Sequence, residues 1–285
     1  MAELNDDILL KIKSGLNDCV QIIHSPLMTE LKNVMRDSVA KLDEPMQLAI
    51  IGKISSSKST LVNAILGKDE LMTTGHKEVT YNVGWLKHGK PDEKITIHYK
   101  NERTPAKMSR NAFEQLSVDI KHKDIDNISY IELFDDAEIL KEINIIDTPG
   151  LDSKKEKDSQ NTLDFISKVR PDAVVMLFTH SIAESVLDIV SQFNAGGSFN
   201  PLNAIGVLSK IDLLWEESLP RDKSAHNIGA RIVANKKKRE PAIEKTLFNL
   251  YPVSSLLFLA SSTITDNDIE LIKKSYTADT GALKK

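Results

Sequence analysis

Apolar residues recur three to four positions apart over residues 3–24 (Ile8, Leu9, Ile12, Leu16, Val20, Ile23), which predicts an amphipathic helix. Ser25-Pro26 has the form of a cap followed by a first helical turn, and a second helix is expected to run to residue 42. Asp43-Glu44-Pro45 breaks that period. Leu48-Ala49-Ile50-Ile51 is then apolar without alternation and stops at Gly52, as a strand buried on both faces and feeding a loop would. Further strand-like runs at 79–87, 94–99, 128–133, 143–146, 173–178, 204–208 and 251–253 interleave with helical periods at 59–66, 109–120, 159–169, 182–193, 225–235 and 242–250. This alternation predicts an α/β fold with a mostly parallel central sheet flanked by helices and ligands at the carboxyl ends of the strands. Residues 1–45 read as an N-terminal helical segment, part of a bundle or stalk, ahead of a domain over 46–263. Residues 264–285 read as a C-terminal helical segment that stops short.

Composition narrows the picture. With 285 residues, 41% hydrophobic and 27% charged, the chain has ample material for a buried core and is neither disordered nor fibrous. A net charge of −4 gives no electrostatic case for nucleic acid, and none is expected as a partner. The single Cys19 rules out an intramolecular disulfide and fits a reducing, cytoplasmic compartment. No basic stretch followed by an apolar core opens the chain, and its longest apolar runs, 173–178 and 256–260, fall far below the roughly 18 residues of a spanning helix. Any membrane contact is therefore expected to be peripheral or made by parts outside this chain.

Three motifs carry chemistry. Gly52-Lys53-Ile54-Ser55-Ser56-Ser57-Lys58-Ser59-Thr60 has the spacing of the G-x-x-x-x-G-K-S/T phosphate loop, directly after a strand and before a helix. There, backbone N–H groups surround phosphates, a lysine (Lys58) reaches the β and γ oxygens, and a hydroxyl (Ser59) ligates Mg²⁺. Ser57 stands where the second glycine is expected, a position where φ > 0 would strain a serine by about 1 kcal/mol. Second, the strand at 143–146 runs into Asp147-Thr148-Pro149-Gly150, which puts a carboxylate where it can hold Mg²⁺ through water and the Gly150 N–H where it can meet a γ-phosphate. Third, the strand at 204–208 ends in Ser209-Lys210-Ile211-Asp212. A carboxylate accepts two hydrogen bonds from guanine N1–H and N2–H₂, which adenine cannot supply, while a lysine stem lies over the purine. Asp212 thus selects guanine and Lys210 supports it.

With these residues in hand, the chain resembles the GTPase domain of the dynamin superfamily, in the manner of bacterial dynamin-like proteins and mitofusins, over residues 46–263. Ser59-Thr60-Leu61-Val62-Asn63-Ala64-Ile65-Leu66-Gly67 is similar to that family's loop-to-helix sequence, and Leu71-Met72-Thr73-Thr74-Gly75 resembles the approach to its first switch. The resemblance implies a P-loop NTPase G domain that hydrolyses GTP to GDP and phosphate with Mg²⁺. On that register Thr80 is the switch threonine, a second Mg²⁺ ligand, and Ser55 is the serine near the charge that develops between the phosphates. Tyr251-Pro252-Val253-Ser254-Ser255 resembles the last guanine-contacting loop, with Ser254 and Ser255 near the base. The expected nucleotide contacts are then Gly52, Lys53, Ser55, Ser56, Ser57, Lys58, Ser59, Thr60, Gly150, Ser209, Lys210, Asp212, Ser254 and Ser255. Catalysis falls to Ser55, Lys58 and Thr80, and the metal to Ser59, Thr80 and Asp147. Ile54 replaces the glutamine of dynamin proper, so slow basal turnover is expected. The resemblance also implies a GTP-dependent homodimer formed across the nucleotide face, remodelling of membranes at which the protein is peripheral, and a stalk of which this chain holds a portion. Rival readings are a scaffold that binds GTP with little hydrolysis and a ribosome- or RNA-associated regulatory GTPase. The basic run Asn235-Lys236-Lys237-Lys238-Arg239 reads as a solvated helix end, and Trp85 as packing.

Overall fold

The computed structural model describes residues 2–53, 55–68, 83–91, 94–101, 103–109, 112, 127–150, 165, 166, 168–179, 201–214, 221–239, 241, 243 and 246–277. It divides into two compact units, Met1–Met46 and Gln47–Lys285. In the first, α1 (Ala2–Ile22) and α2 (Thr29–Lys41) pack on each other, joined through a 3-10 turn at Pro26–Met28. The turn shows why the second helix starts later than Pro26: Thr29 Oγ1 donates to the Pro26 carbonyl at 2.7 Å, closing that turn on itself. Lys13 pairs with Asp43, and Lys32 donates to the Ile23 carbonyl. Large apolar side chains on this pair, among them Leu10, Ile22, Leu27 and Val34, are exposed.

The second unit is built on a nine-stranded sheet. Its strands are β1 (Met46–Gly52), β2 (Val83–His88), β3 (Lys94–Tyr99), β4 (Ala106–Ser109), β5 (Ile128–Asp135), β6 (Ile143–Asp147), β7 (Ala173–Phe178), β8 (Ala204–Leu208) and β9 (Asn249–Pro252), in the order β4-β3-β5-β2-β6-β1-β7-β8-β9. β1, β7, β8 and β9 run parallel, as do β2 and β5, whereas β2 opposes β6 and β3 opposes both β4 and β5. Among the described residues, helices of this unit include α3 (Lys58–Leu66), α4 (Arg221–Arg239), α5 (Ser255–Thr263) and α6 (Asp266–Thr277), with α3 against α5 and α4 against β9.

The unbroken apolar run of β1 has a direct cause in packing. Ala49 and Ile51 enter one core cluster with Ile146, Ile166, Val174 and Met176; Ile50 enters another, on the opposite face, with Leu61, Val62, Ile145 and Leu177. A strand covered on both sides has no position for a polar residue. Three expectations need correction. β4 is a strand that the sequence pattern does not predict, and Ser109 closes it instead of opening a helix. Asn249 and Leu250 belong to β9 instead of the end of a helix, because Leu250 pairs with Gly206 and sits in the core. The last strand therefore starts two residues before Tyr251. The expected helix at 182–193 lies outside the described residues.

Candidate functional site

β1, β6 and β8 end on the same side of the sheet, and each delivers one motif. At the end of β1, Gly52 has no room for a side chain: a Cβ there would sit 2.6 Å from Ser56 Oγ and 2.9 Å from the Leu177 carbonyl. The loop then turns through Ser55 (φ 61°) and Ser57 (φ 67°, ψ 30°), both left-handed, so the strain expected at Ser57 is present and Ser55 adds a second instance. Ser57 is the N-cap of α3, which means the unpaired N–H groups of the first helical turn, those of Lys58 and Ser59 among them, begin at this loop.

Lys58 is buried, with its ammonium folded back onto the Gly52 carbonyl at 3.0 Å and the Lys53 carbonyl at 2.9 Å. Burial pulls its pKa down, and the nearby Asp147 charge opposes that. Asp147, the last residue of β6, is buried too; burial pushes its carboxyl above the usual range against the pull of Lys58 and the Ser59 hydrogen bond. Ser59 Oγ donates to Asp147 Oδ2 at 3.1 Å, while Asp147 Oδ1 is buried without a hydrogen-bond partner. A buried carboxylate oxygen left unpaired beside a hydroxyl is the donor set of a hard divalent cation, so the residues present fit Mg²⁺. Thr60 is half-buried on the first turn, and Gly150 is buried at the end of its motif. Thr80 and Ile54 lie outside the described residues.

The second motif is held by Thr148, a residue to which motif spacing assigns no role. Its hydroxyl and its N–H both donate to the Ile50 carbonyl, at 2.8 and 3.3 Å, so the chain after Asp147 is pinned to β1. The third motif is tied to the first in the same way. Ser209 Oγ lies 2.9 Å from the Ser56 carbonyl and 3.0 Å from the Phe178 carbonyl, sharing its one proton between them. Its hydroxyl thus joins the base-side loop to the phosphate loop. Lys210 takes φ 61°, and Asp212 follows in the 3-10 turn Ile211–Leu214. Ser254 Oγ donates to Asp212 Oδ1 at 2.6 Å and accepts the Leu257 N–H at 3.2 Å, capping α5 while fixing the carboxylate. Ser255 is buried beside it, its hydroxyl unpartnered. Ser56 also has a buried, unpartnered hydroxyl, while its N–H donates to the Lys53 carbonyl at 3.2 Å.

Residues 48–211 match the model of the Dynamin family. The chain belongs to the dynamin family. It is 30% identical over 246 residues to the isoniazid-induced protein IniC of Mycobacterium tuberculosis, an alignment covering 84% of this chain and 48% of that protein. It is 26% identical over 210 residues to Dynamin-like protein 2 of Campylobacter jejuni, covering 73% of this chain and 33% of that one. The chain thus spans half or less of the length of these curated relatives. Among solved structures, an oligomerised bacterial dynamin pair described as sensing and tethering membranes over long range matches with a TM-score of 0.58 at 18% identity, over 97% of this chain and 52% of that chain. That likeness establishes the α/β P-loop NTPase fold. This is a dynamin-family GTPase domain, of a family that binds guanine nucleotide.

Trp85 and Lys237 have structural partners. Trp85 donates Nε1–H to Gln47 Oε1 at 3.1 Å and packs edge-on against Tyr130 and Phe165, as its reading as packing expected. Lys237, in the basic run, donates to Asn249 Oδ1 at 2.9 Å. Cys19 is exposed. Among the described residues, no helix is long and apolar enough to cross a membrane.

Proposed function

We propose that residues 46–263 form a Mg²⁺-dependent GTP-hydrolysing domain. The phosphates rest over residues 52–60 and the first turn of α3, and the guanine against Asp212. Water attacks the γ-phosphorus, the bond to the β–γ bridging oxygen breaks, and GDP and phosphate leave. One observation carries this reading: Ser59 bonded to a buried Asp147 whose other oxygen is unpartnered, beside a buried Lys58. Ser59, Asp147 and Thr80 would hold Mg²⁺, which when bound neutralises charge on the β and γ oxygens. Lys58 contributes a fixed positive charge in a dry site, where it acts more strongly than in water. Ser55, exposed on the loop, adds a donor near the same oxygens, and Ser254 holds the Asp212 carboxylate toward guanine. Lacking a glutamine at position 54, the domain has no side-chain amide there to orient water, and basal turnover is slow.

By extension from its relatives, two copies pair across the nucleotide, and the helical segments 1–45 and 264–285 contribute to a stalk of a cytoplasmic protein that acts peripherally on membranes. The test is GTP turnover across a range of protein concentrations, with ATP as control and liposomes present or absent. Specific activity that rises with concentration, is lost in Ser59→Asn and shifts toward xanthosine triphosphate in Asp212→Asn is the expected result. Tight GTP binding without turnover at any concentration would replace hydrolysis with a scaffold role.

A further inference from the structure

The two loops that face guanine in the proposed function rest against a third element, one that carries no motif. α4 lies on the turn Ile211–Leu214 and on β9, and it meets both at Gly229. This residue is buried in the middle of the helix. A Cβ there would sit 2.6 Å from the Pro252 Cβ and 3.3 Å from the Ile211 Cγ2. Ile211 stands between Lys210 and Asp212, and Pro252 stands two residues before Ser254, so one bare point on the helix touches both base-side loops. Glycine inside a helix is less favourable than alanine, because it surrenders more backbone freedom on folding. Gly15 in α1 has open space around it, whereas at Gly229 the space is already filled.

The neighbours of Gly229 cannot step aside. The Pro252 Cβ is a ring atom whose place follows from the backbone, with no rotamer to turn. β9 is pinned to β8, since Pro252 pairs with Leu208 and the Val253 N–H donates to the Leu208 carbonyl at 2.8 Å. α4 is held as well: Val233, one turn on, shares a core cluster with Ile211 and Leu250, and Lys237 bonds Asn249 at the start of β9. Ordinary carbon contacts begin near 3.5 Å, so a side chain at position 229 forces α4 and Pro252 apart by about 1 Å. The turn bearing Asp212 packs on α4, and the loop bearing Ser254 continues from β9. The 2.6 Å bond from Ser254 Oγ to Asp212 Oδ1 spans the two and takes up the displacement.

We infer that Gly229 is a positioning residue for guanine selection: by letting Pro252 and Ile211 seat on α4, it sets the spacing at which Ser254 holds the Asp212 carboxylate. This rests on the reading of Asp212 as the acceptor for guanine N1–H and N2–H₂. Both donors sit on one rigid ring, so a carboxylate moved by about 1 Å keeps one hydrogen bond at the expense of the other.

The experiment measures displacement of a fluorescent GDP from the full chain by GDP and by inosine diphosphate, whose base lacks the N2 amine. The two competitors carry the same phosphates, so the ratio of their affinities isolates the base. Wild type is expected to prefer GDP about tenfold, the worth of one hydrogen bond to a charged acceptor. Gly229→Ala is expected to weaken GDP about tenfold and inosine diphosphate about threefold, which lowers the preference to about threefold. Adding Pro252→Gly, which deletes the ring atoms in the way, should recover most of it. A preference unchanged in Gly229→Ala would overturn the inference, and so would one that falls but is not recovered in the double variant. Should Gly229→Ala not fold, Ile211→Ala removes the same seat from the loop side: a reduced preference supports the inference, and one equal to wild type sinks it. A wild-type chain that bound GDP no tighter than inosine diphosphate or ADP would overturn the guanine reading itself, a different result from any of these.

Discussion

β1, β7, β8 and β9 lie side by side, all parallel, and the first three bury apolar residues on both faces; β2, β5, β3 and β4, across β6, mix directions and carry charge within the sheet. On that second side Glu132 bonds Lys87 at 2.5 Å and His98 at 3.4 Å, His98 stacks on Tyr130 with centroids 4.2 Å apart, and Lys87 lies 3.9 Å over the Trp85 ring. The first side keeps its chemistry at the strand ends, in loops tied to one another through Ser209 and Ser254 and to β1 through Thr148. Strands that must be apolar throughout cannot host a site, so they supply rigidity and leave reactivity to the adjoining loops. Where one face of a strand remains half-exposed, polar pairs within the sheet take over part of the stabilisation.

Four substitutions separate the two sides. The largest effect is expected from Ile51→Ala on the apolar side, where a fully buried side chain leaves a cavity: a loss of about 3 kcal/mol in unfolding free energy, read from urea midpoints. Glu132→Gln on the charged side should cost only about 1 kcal/mol at pH 7, its half-buried pairs being partly screened. That cost depends on pH. Although burial alone would raise its pKa, Lys87 and His98 hold the Glu132 carboxyl below the usual range. Its contribution is therefore complete above the unfolded value near 4.3 and disappears as pH falls through the lower folded value, so the gap between wild type and Glu132→Gln should close in acid. A gap that did not change between pH 7 and 3.5 would remove the ion pairs from the account. Ser254→Ala, which loses a cap and the bond to Asp212, should weaken GDP binding by about 1 kcal/mol, measured by titration with fluorescent GDP. The smallest effect belongs to Ser56→Ala: its hydroxyl is unpartnered, so stability and GDP affinity should stay within about 0.5 kcal/mol of wild type.

The same contrast explains how much of the molecule is legible in its sequence. Residues 173–178 and 204–208 match their strands to the residue, because continuous apolar runs bounded by polar residues have sharp edges. On the mixed side 94–99 also matches its strand, but β5 continues two residues past the expected end to Asp135, and Ala106–Ser109 offers too short a pattern to stand out. Within the site, motif spacing identifies the residues whose side chains face chemistry, such as Lys58, Ser59 and Asp147. It does not reveal the ties among the loops. Nothing in Thr148 or Ser209 as residue types says which carbonyl 98 or 153 positions away will receive them. Lys68 and the Asp135-Asp136 pair are visible as charges after a glycine cap and at a strand end, but neither segment says that the end of α3 and the end of β5, 67 positions apart, will meet.

The central place of β1 also sets an order of events during synthesis. Its two sheet neighbours, β6 and β7, begin at Ile143 and Ala173, far along the chain from Met46. As the chain emerges from the ribosome, α1 and α2 can close on each other at once, while Leu48-Ala49-Ile50-Ile51 must wait for partners not yet made. Contacts so distant in sequence slow folding, and an apolar strand left unpaired in the meantime is open to association with other chains. The strand that anchors the finished domain is thus also the segment most in need of protection while the domain is being made.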